Sequence, residues 1–161
     1  TDAILLREPV AADGHALHDL ISNCPPLDGN SVYCNLLQCT HFAETSVAAD
    51  AQGKLAGFIS GYILPSKKDT LFIWQVAINP AFRGQGLATL MLNEILARPA
   101  CAQVSYLETT VTESNRASWS LFEGLARKRQ AELSSTLHFE KTAHFNGEHE
   151  SERLVRIGPL A

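Results

Sequence analysis

The sequence has no long apolar run, no excess of basic residues and few cysteines. No stretch reaches the roughly 18 consecutive apolar residues of a membrane-spanning helix, and we expect no targeting leader. The formal net charge of −4, from 13 Lys and Arg against 17 Asp and Glu, disfavours nucleic-acid binding, which usually needs a basic face. The four cysteines form no Cys-x-x-Cys pair and are too sparse for a disulfide scaffold. We therefore expect free thiols, no metal site and a cytoplasmic protein.

The chain does contain an ordinary globular balance of residues. It has 161 residues, of which 45% are hydrophobic and 19% charged. A chain of this length buries about two-thirds of its unfolded surface, so its core needs no disulfide or metal. Since no repeat, low-complexity tract or linker interrupts it, we expect a single domain over residues 1–161.

Hydrophobic spacing and turn residues predict the element order β-α-α-β-β-β-α-β-α-β-β, an α/β domain. Strands are expected at residues 4–7, 46–49, 55–64, 70–79, 104–112, 133–139 and 154–157. Helices are expected after the N-caps Asp13 and Asn30, from Leu87 to before Pro99, and over 115–130. The prolines of residues 24–30 predict a rigid turn.

The apolar stripes of these helices predict which side chains face the core. The first helix is expected to bury Ala16, Leu17, Leu20 and Ile21, and the second to carry Tyr33, Leu36 and Leu37. The third has the broadest stripe, formed by Leu87, Met91 and Ile95 with Ala88, Leu92 and Leu96.

The segment Asn79–Ala88, between a strand and this third helix, is the most informative part of the chain. Gly84 and Gly86 allow the backbone to approach a ligand closely. A helix start offers free N–H donors and a partial positive charge, which suit a phosphate, and Arg83 adds a cation. The alternative is a plain strand-to-helix turn, which the arginine and the strong flanking elements disfavour. Neither the G-x-G-x-x-G fingerprint nor a Walker-type Gly-Lys-[Ser/Thr] is present.

Residues 83–88 (Arg-Gly-Gln-Gly-Leu-Ala) resemble the acetyl-CoA pyrophosphate loop of the GNAT acetyltransferase superfamily, whose pattern is [RQ]-x-x-G-x-[GA], and residues 76–80 resemble its fourth strand. The resemblance implies the acyl-CoA N-acyltransferase fold, a mixed, mostly antiparallel central sheet flanked by helices, with acetyl-CoA as co-substrate. It also implies two sets of cofactor-binding residues. Backbone groups on the strand would pair with the pantetheine arm, and the loop would hold the pyrophosphate. These residues are Val76, Ala77 and Ile78, then Arg83, Gly84, Gln85, Gly86, Leu87 and Ala88.

Residues 115–123 are similar to the N-x-x-A-x-x-L-Y segment of the same superfamily. Asn115 matches the asparagine that hydrogen-bonds pantetheine there. The tyrosine that often protonates the leaving thiolate is replaced by Phe122, so the general acid must lie elsewhere or be water. A CoA thiolate is a tolerable leaving group because thiols ionise near pKa ~8.5.

A narrower resemblance covers segments 25–33, 74–77, 107–112, 147–152 and 154–159, which are similar to the L-2,4-diaminobutyrate acetyltransferase family of ectoine biosynthesis, a route to an osmoprotectant. The family forms N4-acetyl-L-2,4-diaminobutyrate. The resemblance implies this acceptor, direct attack in a ternary complex and a homodimer.

A diamino acid carries two ammonium groups, so its pocket needs acidic partners. Asp28 follows the Pro-Pro turn, although it could equally be a turn residue. Glu152 ends an acidic run around His149 whose alternative is a solvated loop. Trp74 is a core aromatic or a wall for the ligand with a cation–π contact, and Tyr33 packs on its helix or supplies the missing acid.

With the resemblance, the expected substrate-binding residues are Asp28, Tyr33, Trp74, His149 and Glu152. The expected catalytic residues are His149 or Glu152 as base and Tyr33 as acid, with Glu108 as a further base acting through water. Two other functions stay open at this point: a GNAT enzyme for another small amine or a protein lysine, and a catalytically silent acetyl-CoA-binding module.

Overall fold

The computed structural model describes residues 3–25 and 27–160; Pro26, part of the predicted Pro-Pro turn, lies outside the described residues. The strands described are β1 (Leu5–Arg7), β2 (Val47–Ala51), β3 (Lys54–Leu64), β4 (Lys67–Ile78), β5 (Tyr106–Thr112), β6 (Glu132–Phe139) and β7 (Glu152–Gly158). The α-helices described are α1 (Gly14–Ser22), α2 (Val32–Thr40), α3 (Leu87–Leu96) and α4 (Arg116–Lys128). The predicted order of strands and helices is confirmed.

The seven strands form one sheet in the order β1-β2-β3-β4-β5-β7-β6. β1 with β2, β2 with β3, β5 with β7 and β6 with β7 are antiparallel. β4 and β5 are parallel, pairing Thr70–Ile73 with Tyr106–Thr109. A parallel pair needs a long crossover, which here contains α3. The predicted mixed, mostly antiparallel sheet is confirmed.

The chain divides into two compact units. Unit 1 comprises residues 1–62 and 74–102, so far as they are described. Its core packs α1 against β2, β3 and the end of β4; the members include Leu17, Leu20, Ile21, Ala48, Phe58 and Ala77. On α3, Leu87, Met91, Leu92 and Ile95 are buried, which confirms most of the predicted stripe. Gly57 lies where a Cβ would be 3.2 Å from both the Ala77 carbonyl oxygen and Met91 Sδ, so glycine permits this close packing.

Unit 2 comprises residues 63–73 and 103–161, again so far as they are described. Its sheet side chains Leu71, Ile73, Leu107, Val155 and Ile157 are buried, as are Phe122 and Leu125 of α4. Gly158 ends β7 beside Tyr106, where a Cβ would lie 2.3 Å from Tyr106 Cδ1 and 2.7 Å from the Ser105 carbonyl oxygen. No side chain fits there, so the position requires glycine.

One predicted helix cap is confirmed and the other is wrong. Asp13 is the N-cap residue of α1, although its carboxylate makes no hydrogen bond to that helix; it accepts from the Arg7 guanidinium at 2.8 and 2.9 Å and from the Val10 amide. Ser31, not Asn30, caps α2, because its Oγ accepts from the Cys34 amide at 3.1 Å. The Asp13 carboxylate is bound by the Arg7 guanidinium of β1, and the Asn30 side chain donates to Gln75 Oε1.

The predicted core faces of the first two helices also need correction. On α1, Ala16 is exposed while Leu17, Leu20 and Ile21 are buried as predicted. On α2, Tyr33 is 70% exposed, and the buried residues are Asn35, Gln38 and Cys39. The two amides tolerate burial because they hydrogen-bond to each other. Among the described residues, no helix is long and apolar enough to cross a membrane.

Candidate active site

The loop between β4 and α3 has the backbone geometry of an anion-binding site. Gly84 and Gly86 have φ angles of +78° and +72°, values that side-chain-bearing residues rarely adopt. Gly86 is the N-cap of α3, and no side chain caps that helix. The first turn of α3 therefore keeps its N–H donors for a ligand. Leu87 is buried and Ala88 half-buried, whereas residues 83–86 are exposed.

The end of β4 leads directly into this loop. Ala77 is buried in the core of unit 1, and Val76 and Ile78 are half-buried. The Ile78 carbonyl accepts from Cys24 Sγ and from Arg83 Nε, each at 3.3 Å. Arg83 is thus attached to the strand by one nitrogen, so the guanidinium is held beside the glycines.

The start of α4 differs from that of α3. Asn115 is its N-cap, and Asn115 Oδ1 accepts from the Ser118 amide at 3.2 Å. A ligand contact from Asn115 would therefore use its amide nitrogen. Phe122, at the position where the superfamily often has tyrosine, is only 2% exposed and has no proton to give.

Trp74 on β4 packs against two aromatic rings and keeps part of its surface exposed. Its ring is 36% exposed and meets Phe42 and Tyr62 edge-on, with centroid distances of 6.0 and 6.1 Å. Phe42 and Tyr62 lie 5.6 Å from each other. The rings of Phe42 and Tyr62 fix the Trp74 side chain while leaving part of its surface open. The sequence did not indicate the two supporting aromatics, which lie far from Trp74 along the chain.

Asp28 lies on the exposed segment between α1 and α2. Its backbone carbonyl accepts from Gln75 Nε2 at 3.0 Å, and Gln75 Oε1 accepts from Asn30 Nδ2 at 2.8 Å. Gln75 therefore ties this segment to β4, next to Trp74. Sequence reasoning missed this role; the signal for it is a polar residue inside the otherwise apolar second part of β4, residues 71–78. Tyr33, five residues after Asp28, is exposed on the first turn of α2.

His149 is half-buried in unit 2, ahead of β7. Its Nδ1 lies 2.6 Å from the Glu150 carbonyl oxygen, and its ring stands 4.5 Å from that of Phe145. Because a carbonyl oxygen only accepts, Nδ1 carries the hydrogen. In the neutral ring, Nε2 then holds the lone pair, which is the arrangement of a general base.

The acidic run around His149 is not uniform. Glu152 is half-buried at the start of β7, in register with Thr112 of β5, whereas Glu148 and Glu150 are exposed. The Glu150 carboxylate accepts from Ser114 Oγ at 2.8 and 3.0 Å. Strand pairing thus fixes the backbone of Glu152, while Glu150 anchors the preceding turn.

Glu108, the further candidate base, is held in an ion cluster. Its carboxylate is buried on β5, 2.5 Å from Arg156 Nη1 and 3.6 Å from Lys67 Nζ. Both cations contact the same oxygen, Oε2. Glu108 as a further base acting through water stays a prediction.

The cysteines do not form a nucleophile site. All four are free thiols. Burial raises the pKa of Cys39 to about 12 and also raises the pKa values of Cys34 and Cys101. Since the thiolate is the nucleophilic form, these three thiols are unreactive at neutral pH.

Comparison with known proteins agrees with this geometry. Residues 15–126 match the Acetyltransferase (GNAT) family. The chain is 55% identical to the L-2,4-diaminobutyric acid acetyltransferase of Methylotuvimicrobium alcaliphilum, covering 98% of this chain and 91% of the relative. It is 50% identical to that of Vibrio parahaemolyticus, covering 95% and 84%. Among solved structures, it matches diaminobutyrate acetyltransferase EctA from Paenibacillus lautus, in complex with its substrate L-2,4-diaminobutyric acid and coenzyme A. That match has 38% identity and a TM-score of 0.95 over 99% of this chain and 96% of that one.

The fold and the β4–α3 loop define an acetyltransferase of the GNAT class. Within this class, the chain belongs to the family of L-2,4-diaminobutyric acid acetyltransferases.

Proposed function

We propose that this chain transfers the acetyl group of acetyl-CoA to the 4-amino group of L-2,4-diaminobutyrate, giving N4-acetyl-L-2,4-diaminobutyrate in ectoine biosynthesis. The observation that carries the proposal is the near-complete match to a relative in complex with L-2,4-diaminobutyric acid and coenzyme A. The uncapped, glycine-led start of α3 supports the use of a phosphate-bearing co-substrate.

Acetyl-CoA would be bound by β4, by the loop between β4 and α3, and by Asn115. The exposed loop and the first-turn amides of α3 would take the pyrophosphate, with Arg83 as an additional cation. Backbone groups of β4 would pair with the pantetheine, joined by the side-chain amide of Asn115. The proposed residues are Val76, Ala77, Ile78, Arg83, Gly84, Gln85, Gly86, Leu87, Ala88 and Asn115.

The acceptor would be recognised by charge and by shape. The carboxylates of Asp28 and Glu152 suit the two ammonium groups, and the exposed part of the Trp74 ring suits the aliphatic chain or a cation–π contact. Tyr33 and His149 complete the proposed set of substrate-binding residues.

In the reaction, the 4-amino nitrogen forms a bond to the acetyl carbon while the carbon–sulfur bond breaks and CoA leaves as a thiolate. The amine is mostly protonated at neutral pH, so a base must first remove a proton. His149 fits this role through Nε2, with Glu152 as the alternative base. An amide of β4 near Ala77 would stabilise the charge that develops on the carbonyl oxygen. Tyr33 would give a proton to the thiolate and regain one from the attacking nitrogen, which loses its second proton as the amide forms. No acyl-enzyme is formed.

The proposal includes a homodimer, one GNAT domain over residues 1–161 and a cytoplasmic location. β6 is at one edge of the sheet and exposes Leu137 and Phe139, which are 51% and 41% accessible. An exposed apolar edge strand suits burial against a second copy. Light scattering of the purified chain tests the dimer, and a single unfolding transition tests the single domain.

Mass spectrometry of the product from purified chain, acetyl-CoA and L-2,4-diaminobutyrate tests the reaction. Absence of the N4-acetyl product at millimolar substrate would overturn the proposal. Asp28→Ala and Glu152→Ala should raise the acceptor KM and leave CoA affinity unchanged, with Asp19→Ala and Glu148→Ala as exposed controls.

Gly86→Val should do the reverse and weaken CoA binding in calorimetry. Gly53→Val is its matched control, because Gly53 also has a positive φ, +90°, with nothing within 4 Å of an added Cβ. Equal loss of CoA affinity in both variants would contradict the assignment of the loop.

A further inference from the structure

We infer that Gln75 is a positioning residue for the acceptor: its side-chain amide fixes the backbone of residues 28–30 and hence the direction of the Asp28 carboxylate. The inference rests on the proposed function, since it concerns how the diamino acid is bound. Gln75 belongs to β4, directly after Trp74, whereas residues 28–30 form neither helix nor strand.

Both ends of the Gln75 amide are used on the same segment. Nε2 donates to the Asp28 carbonyl at 3.0 Å, and Oε1 accepts from Asn30 Nδ2 at 2.8 Å. Reversing the amide would place oxygen against oxygen and nitrogen against nitrogen, so its orientation is determined by its partners. Holding an irregular segment in one geometry costs conformational entropy. Two hydrogen bonds from a strand restrict this segment before the acceptor binds.

Gln75 is itself anchored by buried polar groups. Its backbone amide donates to Ser60 Oγ at 3.1 Å, and Gln38 Nε2 donates to the same oxygen at 3.3 Å. Gln38 Oε1 accepts from Asn35 Nδ2 at 3.0 Å, and Asn35 Oδ1 lies 3.1 Å from His18 Nδ1. We call Asn35, Gln38, Ser60 and Gln75 the amide relay.

The relay connects the acceptor segment to the core of unit 1. Asn35, Gln38 and Ser60 have no exposed surface. Hydrogen bonds among fully buried groups are strengthened by the low dielectric and are costly to break, so the relay holds a single arrangement. Trp74 and Asp28 are two proposed acceptor contacts. Both are thereby held in place by the same part of β4, since Gln75 follows Trp74 and binds the Asp28 backbone.

The inference predicts an effect on the acceptor that is separable from CoA binding. Gln75→Leu removes both hydrogen bonds to residues 28–30, and Asn30→Ala removes one of them. We expect the KM for L-2,4-diaminobutyrate to rise on the order of tenfold in Gln75→Leu, the size expected for losing ordinary hydrogen bonds. CoA affinity in calorimetry and kcat should change little, because the proposed base and the α3 loop are unaltered.

The double variant Gln75→Leu/Asn30→Ala distinguishes positioning from general destabilisation. Asn30 acts through Gln75, so the double variant should raise KM no further than Gln75→Leu alone. Gln103→Leu, an exposed glutamine, is the matched control. Additive effects, or an unchanged acceptor KM in folded Gln75→Leu, would overturn the inference.

Hydrogen exchange of residues 27–31 provides a readout that requires no reaction. Gln75→Leu and Asn30→Ala should each accelerate exchange there, while exchange in α3 stays unchanged. Should Gln75→Leu fail to fold, the acceptor KM and the hydrogen exchange of residues 27–31 are both measured on Asn30→Ala. A wild-type chain that does not acetylate diaminobutyrate refutes the proposed function; unaccelerated exchange in the folded variants refutes the inference.

Discussion

Two buried polar clusters, the amide relay of unit 1 and the Glu108 cluster of unit 2, are built in different ways. The amide relay is neutral, and its Asn35, Gln38 and Ser60 have no exposed surface. The Glu108 cluster buries a charge, the Glu108 carboxylate, paired with Arg156 and Lys67. Both clusters satisfy polar atoms inside an otherwise apolar interior. They differ in how much free energy of unfolding is lost when one partner is removed.

A buried charge is expensive to desolvate, so its stability depends on keeping every partner. Around Glu108 the partners are themselves braced: the Arg156 guanidinium lies 3.9 Å over the Tyr106 ring and donates to Thr70 Oγ1 at 3.3 Å. Neutral amides carry a smaller desolvation penalty, and their main effect is to fix the orientation of the groups that they hydrogen-bond. We therefore expect the Glu108 cluster to govern stability and the amide relay to govern geometry.

Removing the cation from the Glu108 cluster should have the largest effect. Arg156→Met leaves a buried carboxylate with only Lys67 at 3.6 Å. We expect the free energy of unfolding, measured by urea denaturation, to fall by about 3–5 kcal/mol. The acceptor KM of the folded fraction should not change.

The matched control is Arg127→Met, an exposed arginine near the end of α4. Adding Glu108→Leu to Arg156→Met should recover part of the stability, because it removes the unpaired charge. A single-variant loss below about 1 kcal/mol would show that Glu108 is not a stabilising ion pair.

Breaking the amide relay should have a smaller effect on stability and a larger one on function. Ser60→Ala removes the oxygen that accepts from both Gln75 N and Gln38 Nε2. Two buried donors without an acceptor should lower the free energy of unfolding by about 2 kcal/mol. Unlike Arg156→Met, this variant should also raise the acceptor KM, measured by steady-state kinetics. Ser120→Ala, exposed on α4, is the control, and an unchanged KM in Ser60→Ala would remove the functional half of the comparison.

The relay also shows where sequence-based prediction ends. Most of the α3 stripe and the position of the strand-to-helix loop at Gly84–Gly86 could be predicted, because their signal lies in residues that are close together in the sequence. The spacing on α2 pointed to Tyr33, Leu36 and Leu37, yet Asn35 and Gln38 are the residues with no exposed surface. Apolar periodicity cannot detect two amides that satisfy each other, since that depends on tertiary contacts.

The candidate site shows the same difference between residues that a local sequence pattern indicates and residues that only tertiary contacts reveal. The residues of the loop, Trp74 and the acidic run were proposed from motifs and resemblance. Their supports were not: Phe42 and Tyr62 behind Trp74, and Gln75 beneath Asp28, act across long sequence separations. Asn30 was interpreted as a helix cap because cap and loop residues share one composition.

A third polar cluster, on unit 1, is partly exposed. Among the three clusters, we expect its disruption to lower the free energy of unfolding least. Arg7 binds Asp13 through two nitrogens and lies 3.2 Å from Asp50. The Arg7 hydrogen bond lowers the pKa of Asp13 below its ordinary value, partly offset by burial. A folded-state pKa below the unfolded one stabilises the fold above pH about 4, and this stabilisation is lost as pH falls through the folded-state pKa.

Asp13→Asn should therefore lower the free energy of unfolding by about 1 kcal/mol at pH 7, because the pair is partly solvated. The difference from wild type should shrink as urea denaturation is repeated at successively lower pH below about 5, because the wild-type carboxylate then becomes protonated as well. Asp69→Asn, on an exposed residue, is the control. A difference that persisted undiminished at the lowest pH would mean that Asp13 acts through its neutral hydrogen bond to the Val10 amide. The Arg7 cluster would then act by the direction of its hydrogen bonds, as the amide relay does, and not by charge.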